Sequence, residues 1–352
     1  MLSRKLVSWN WIVISYLFIF LILGVGCSST RNNFESALEE EENSAGERDV
    51  EVFTDSNELS QKREELQDLI PESVYDEITA ESRNNTACRE HNRAALGLSD
   101  EPNGEWYYTY DNMIAGMAAL EVFANEGGEN TRKMEIAAFL ANVAQETGGK
   151  VDGDPYGSPG CFIQEGAGAA DDWVNPNYGG LSPTGKGYIG RGPHQLSWNS
   201  NYAAFGEDMG VSDEYYNDPD ILTINPEIGI AGSIWFWGHE ERTEWSPANI
   251  PFKPAAHEVL VGNWTPTTAT TEGVRTSNDV ECGRTEVNFG VIINLINGGY
   301  ECGPNALAEH RVKAENRLSY FEEICDAMGV TIPDGFSDDC GTQKNFAECP
   351  SY

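Results

Sequence analysis

Apolar residues recur at helical spacing from Tyr110 to Phe123 and again from Met134 to Ala144. Further helix-like segments run from Pro226 to Trp237, Ala255 to Val261, Phe289 to Ile296 and Leu307 to Met328. Residues three and four apart share one face of a helix, so each stretch would turn an apolar stripe toward a common core. The second stretch has Asn130 or Thr131 available as N-cap and Gly148-Gly149 as terminator, and Gly329 stops the last. Sustained period-two alternation, the mark of a half-buried strand, is not convincing anywhere. Between Val151 and Gly190 lie about forty residues rich in Gly, Pro, Asp and Asn, which predict loop. Loops of that length inside a compact domain are usually functional or mobile. The pattern predicts one mainly α-helical domain with long loops.

The first 68 residues depart from it. Arg4 and Lys5 precede an apolar run from Trp11 to Val25, followed by Gly26-Cys27-Ser28-Ser29. A basic segment, an apolar core and then small residues read as an export signal. The run is short for a membrane span, though an uncleaved anchor also fits. Gly26-Cys27 resembles a bacterial lipoprotein cleavage site, at which Cys27 would carry lipid. Residues 28–68, including the run Glu39 to Glu42, are polar and acidic and predict a solvated tether, within which a short helix near Leu59 to Leu69 would change little. The expected organisation is a signal peptide or membrane or lipid anchor over 1–27, an acidic linker over 28–68, and a working domain over 69–352. The domain is expected outside the cell or on its surface, as a monomer, with membrane anchoring through the N-terminus.

Charge narrows the partners. With 57 acidic against 22 basic residues the net charge is −35, while 40% hydrophobic content is enough for a core. Phosphate backbones would be repelled, so nucleic acid is not a partner, and an anionic membrane or wall polymer gains no attraction. A neutral substrate fits best. Eight cysteines are present, none in a Cys-x-x-Cys pair, which suits structural disulfides in an oxidising compartment better than a zinc or redox site.

Against that background two acids stand out by their neighbours. Glu146 ends the apolar helix in Ala144-Gln145-Glu146-Thr147-Gly148-Gly149, where the negative end of the helix dipole helps to raise a carboxyl pKa. Glu165 follows Cys161-Phe162-Ile163-Gln164 and precedes Gly166. Two carboxyl groups in unlike surroundings are what glycoside hydrolysis requires, one protonated and one ionised. Downstream, Gly190-Arg191-Gly192-Pro193-His194-Gln195-Leu196-Ser197-Trp198-Asn199-Ser200-Asn201 is dense in the amide, hydroxyl and aromatic groups that bind sugars. The same run also fits a tight turn into a capped helix, and both readings stay open. Arg317, beside Phe321 and Ile324 on its helix, is expected to be partly buried and to need a carboxylate, for which Glu301 after Asn297-Gly298-Gly299 is the candidate. A purely structural salt bridge is the alternative.

Taken together, these segments resemble the family 19 glycoside hydrolases, the plant-type chitinases. The likeness begins at Ile70-Pro71-Glu72-Ser73-Val74-Tyr75 and takes in Phe139 to Gly149, Cys161 to Glu165 and Gly187 to Ser197. It continues through Ser233 to Trp237, His257 to Trp264 and Phe289 to Gly303, then Arg317 to Val330, in order over roughly 69–340. It implies a mainly α, lysozyme-like domain with long loops and a deep substrate cleft. The implied reaction is endo-hydrolysis of β-1,4 bonds between N-acetylglucosamine units of chitin or a chitooligosaccharide, with inversion. Glu146 matches the general acid, Glu165 the general base, and Ser197 a residue that helps hold the water. Gln195, Asn201 and Asn297 match sugar-binding positions. Trp198, Asn199 and Tyr188 complete the expected substrate-binding set. Glu301 and Arg317 match a supporting ion network. The implied disulfides are Cys88–Cys161 and Cys302–Cys340, with Cys325 buried and free and Cys282 assigned to Cys349. No metal or cofactor is implied.

The chain departs from the family at Gln145, where a histidine is common, and at Ser200, where a tyrosine is. Its loop from Gly166 to Gly190 lacks a cysteine pair found in many plant members, and Thr267 to Glu286 is an insertion. Two other readings remain open: a peptidoglycan-cleaving relative of the same fold, and a chitin-binding protein without catalysis. Keeping Glu146, Glu165 and Ser197 disfavours the second, since binding alone does not need that set.

Overall fold

The computed structural model describes residues 56–95, 106–148, 158–166, 173–175, 180–238, 253–267 and 279–348, all within the compact unit Asp49–Tyr352. The anchor over 1–27 with Cys27, the tether before residue 56, Gly149 and Cys349 lie outside the described residues. The first helices are α1 (Ser56–Leu69), α2 (Glu72–Ile78), α3 (Ala80–Asn84), α4 (Thr86–Ala95), α5 (Tyr110–Met117) and α6 (Glu129–Glu146). They are followed by α7 (Asn199–Asp208), α8 (Glu214–Asn217), α9 (Ile221–Ile224), α10 (Pro226–Gly238), α11 (Ala256–Val261), α12 (Phe289–Glu301) and α13 (Ala308–Ala327). Strand pairing among the described residues consists of isolated bridges, among them the antiparallel pairs Gln164 with Arg191 and Arg191 with Leu196. No described helix is long and apolar enough to cross a membrane.

Two helices organise the core. Helix α6 is buried without a break from Met134 to Ala144 and has α13 lying along it. Helix α10 is apolar on every side, a pattern stable only when surrounded, and Ile230, Ile234, Trp235 and Trp237 are all buried. It crosses α5 at Gly116, where even a Cβ would lie 2.4 Å from the Cβ of Ile230. The polar ends of its tryptophans find partners, as buried indoles require. Trp235 Nε1 donates to Asp208 at 2.6 Å and Trp237 Nε1 to Glu135 at 2.9 Å.

Glu135 is the fully buried acid of α6. It also accepts from His257 Nδ1 at 2.9 Å and from the backbone N–H of Ala124 at 3.0 Å. Burial alone would lower the His257 pKa, but its bond to Glu135 and the charges of Glu135, Glu126 and Glu258 raise it above its ordinary value.

Three local expectations are corrected. The domain begins before residue 69: α1 buries Lys62, Leu66 and Leu69 against α5 and α6, so its start belongs at least as early as Ser56. Burial pushes the Lys62 pKa down to about 8, with Arg132 adding to the fall and nearby acids opposing it. The helix expected over Tyr110–Phe123 stops at Met117. Leu120 and Phe123 stay buried, but in turns that lead to Ala124 at φ 49°. A run that is apolar on all sides carries no signal for where its helix ends. Helix α6 is capped by Gly128 and not by Asn130 or Thr131, and Asn130 instead exchanges two hydrogen bonds with the backbone of Thr331.

The disulfides Cys88–Cys161 and Cys302–Cys340 are formed as the resemblance implied. Cys325 is free and buried, and burial, with a contribution from Glu322, pushes its pKa up to about 12. Cys282 is buried and disulfide-bonded.

Candidate active site

The two acids singled out from the sequence are carried by segments that one residue ties together. Thr147, the C-cap of α6, donates its hydroxyl to Val143 O at 2.6 Å and accepts from the N–H groups of Gly160 at 3.0 Å and Cys161 at 3.3 Å. Its carbonyl accepts from Phe162 N–H at 2.8 Å. The end of the Glu146 helix is thereby stapled to the strand-like stretch that leads to Glu165. Helix α4 holds that stretch from the other side through the Cys88 bridge and through Asn92, which donates to Cys161 O at 2.8 Å and accepts from Ile163 N–H at 3.2 Å. Beyond it, Glu165 N–H donates to Gly190 O at 2.8 Å and Gly192 N–H to Ile163 O at 2.9 Å. Gly192 has φ 72°, and a Cβ there would meet Gly229 O at 2.5 Å, so this turn requires glycine.

Glu146 sits at the helix end as expected, with its side chain 18% exposed. Its partner is Arg317 of α13, whose Nη2 donates to it. The same guanidinium holds Glu301 with two bonds, Nε at 2.8 Å and Nη2 at 2.9 Å, and donates from Nη1 to Asn142 Oδ1 at 3.0 Å. Asn297 Nδ2 donates to Glu301 at 2.8 Å. Arg317 is buried. Burial alone would lower its pKa, but the charges of Glu301 and Glu146 and their hydrogen bonds raise it. The field at Glu146 is therefore set by a guanidinium as well as by the helix dipole. Gln145 accepts from Asn316 at 3.3 Å, occupying the place where the family often has histidine.

Glu165 is exposed, and its Oε2 accepts from Trp173 Nε1 at 3.1 Å and from Gly190 N–H at 3.4 Å. Both acids open onto one cleft of about 670 Å³. Ser197, Gln195, Trp198, Asn201 and Asn297 line it with them, as the sequence led us to expect. Gln195 donates its amide to Gly192 O and Asn201 to Ser197 O, both at 2.8 Å, which fixes the side chains from behind.

Two expected sugar contacts are not in the cleft. Tyr188 is wholly buried: its hydroxyl donates to Tyr216 O at 2.9 Å, and its backbone carbonyl accepts from Trp198 N–H at 3.0 Å. Asn199 is buried as well, accepting from Asn175 N–H at 2.8 Å and donating to Asn175 O at 3.1 Å. Its backbone N–H also donates to Trp173 O at 3.2 Å, so Asn199 anchors the loop that carries Trp173 to Glu165. Trp173, Phe236, Tyr300, His310 and Lys313 line the cleft and were not anticipated. The only hint for Trp173 was an isolated indole in a polar loop. His194 lies under the cleft, where burial lowers its pKa to about 3 against a raising contact with Phe139 O, with Arg317 lowering it further, so it stays neutral.

Gln195 and Trp198 hold positive φ angles, 50° and 74°, a region that costs a non-glycine residue on the order of 1–3 kcal/mol. The turn between Arg191 and the start of α7 imposes this, and Trp198 keeps its indole 40% exposed, edge-on to Trp173 at 5.3 Å. We therefore expect Trp198→Gly to be more stable than Trp198→Ala by about 1 kcal/mol. That reverses the usual order of these residues. Urea denaturation of the two variants checks this, and an alanine variant of equal or greater stability would remove the strain.

A family model described as chitinase class I matches residues 69–340. Endochitinase 1 of Theobroma cacao is 38% identical over 252 residues, which are 70% of this chain and 68% of that protein. Endochitinase 2 of Gossypium hirsutum is 39% identical over 249 residues, 68% and 72% of the two chains. Among solved structures, a bacterial family 19 chitinase is similar in fold, with a TM-score of 0.50 and 23% identity, over 77% of this chain and 100% of that one.

Proposed function

Since the chain belongs to glycoside hydrolase family 19, the class I chitinases, and is a chitinase of that family's helical, lysozyme-like fold, we propose that Glu146 is its general acid and Glu165 its general base. The observation that carries this reading is the contrast between two carboxyl groups on one cleft. Glu146 is partly buried in the Arg317–Glu301–Asn142 network, whereas Glu165 is exposed and held by an indole N–H. In the proposed reaction Glu165 takes a proton from a water held with the help of Ser197. The water oxygen attacks the anomeric carbon from the face opposite the leaving group, and Glu146 gives its proton to the departing glycosidic oxygen. Arg317 keeps two bonds to Glu301 whether or not Glu146 carries a proton, so no guanidinium is stranded during turnover.

Gln195, Asn201, Asn297 and Trp198 would bind the sugar chain, the first three through amides and Trp198 through its exposed ring. The substrate is chitin or a chitooligosaccharide, cleaved within the chain. We also propose export, supported by the basic, apolar and small-residue order before Cys27 and by the disulfides.

The test is digestion of N-acetylglucosamine hexamer by the full chain, with product anomers followed by proton NMR. Inversion predicts that the new reducing end appears first as the α-anomer. A β-anomer would overturn the assignment of Glu165 as the base for an attacking water, and the same assay on the medium and washed cell surface checks export.

A further inference from the structure

Helix α13 carries more than Arg317 toward the cleft. Lys313 lies four residues before Arg317 and His310 seven before, so all three share a face, at about 6 and 10 Å along the helix axis. Arg317 is buried under Glu146, whereas Lys313 is exposed and His310 half-buried, and both line the cleft. Helix α12 supplies the facing group. It kinks at Asn297, φ −145° and ψ 33°, and its last turn points Glu301 inward to Arg317 while Tyr300 stands 63% exposed on the cleft. The Tyr300 ring meets His310 edge-on, with centroids 5.7 Å apart. Lys313 has no ion pair among the described residues, in a chain of net charge −35.

We propose that Tyr300, His310 and Lys313 form a further sugar subsite, one to two helical turns beyond Glu146, that takes a neutral N-acetylated unit and rejects a glucosaminyl unit. The proposal rests on the chitinase reading above. An aromatic ring that is 63% exposed and steadied by a T-shaped contact with His310 offers apolar surface for a pyranose. The Lys313 ammonium can donate to an acetamido carbonyl or a hydroxyl, but it repels the ammonium of a deacetylated unit. The acidic surface elsewhere would attract cationic, deacetylated polymer, so Lys313 supplies local discrimination that the overall charge works against.

Calorimetric titration and steady-state kinetics on the full chain test this. Tyr300→Ala should weaken N-acetylglucosamine hexamer binding and raise its KM by roughly three- to tenfold, leave kcat within about twofold, and leave trimer binding unchanged. Lys313→Glu should shift the ratio of kcat/KM on partially deacetylated to fully acetylated polymer by about tenfold toward the deacetylated one. Both side chains are exposed, so neither change should disturb folding. Unchanged hexamer affinity in Tyr300→Ala, or an unchanged ratio in Lys313→Glu, overturns the subsite. A wild-type chain that binds the hexamer without cutting it overturns the chitinase reading instead, and the titrations then still decide the subsite.

Discussion

Replacing Arg317 with methionine should lower the unfolding free energy by roughly 3–5 kcal/mol, the usual consequence of stranding a buried charge. Glu301 has essentially no contact with solvent, and in the variant it keeps only the amide of Asn297. Asn142 loses its buried donor at the same time. The companion change Glu301→Gln, made together with Arg317→Met, removes the uncompensated charge and should recover a good part of the loss, because the two residues are directly coupled. Urea denaturation of the single and double variants measures both. A loss below about 1 kcal/mol in the single variant would mean that water reaches Glu301. Activity should fall in both variants, since Glu146 no longer has the group that orients it.

Glu146→Gln should reduce kcat on the hexamer by about 10²–10⁴, the range expected when a positioned proton donor is removed. The amide is nearly isosteric and Arg317 keeps its two bonds to Glu301, so stability and hexamer affinity should remain close to those of the parent. An unaltered kcat would sink the assignment of the acid. Retention of binding separates this outcome from misfolding, which would abolish both.

These two expectations draw on features that were largely visible in the sequence. The apolar period of α6 ran into Thr-Gly-Gly and so located Glu146 at a helix end, as found. The spacing of Arg317 from Phe321 and Ile324 predicted its burial and its need for Glu301. What local pattern could not supply was the other face of each residue's environment. Tyr188 and Asn199 have the chemistry of sugar-binding side chains, but their partners, Tyr216 and Asn175, come from other loops, and those contacts turn both inward. Trp173, Tyr300, His310 and Lys313 reach the cleft only because separate elements converge there. The start of the domain was misplaced for a related reason. Helix α1 has just three buried positions, Lys62, Leu66 and Leu69, and one of them is a lysine, so its composition reads as tether.

The thiol of Cys325, the free cysteine among the described residues, has a consequence for production of the protein. An unpaired cysteine in a chain that forms disulfides invites scrambling and covalent dimers, because the thiolate attacks existing bridges. Here the hazard is confined to the interval before α13 docks. Once the helix is in place, the thiol is shut away and almost never ionised, which removes it from exchange chemistry at neutral pH. Preparative refolding would therefore be most productive if collapse is allowed to precede oxidant, and Cys325 by itself would give no reason to store the finished enzyme with a thiol-blocking reagent.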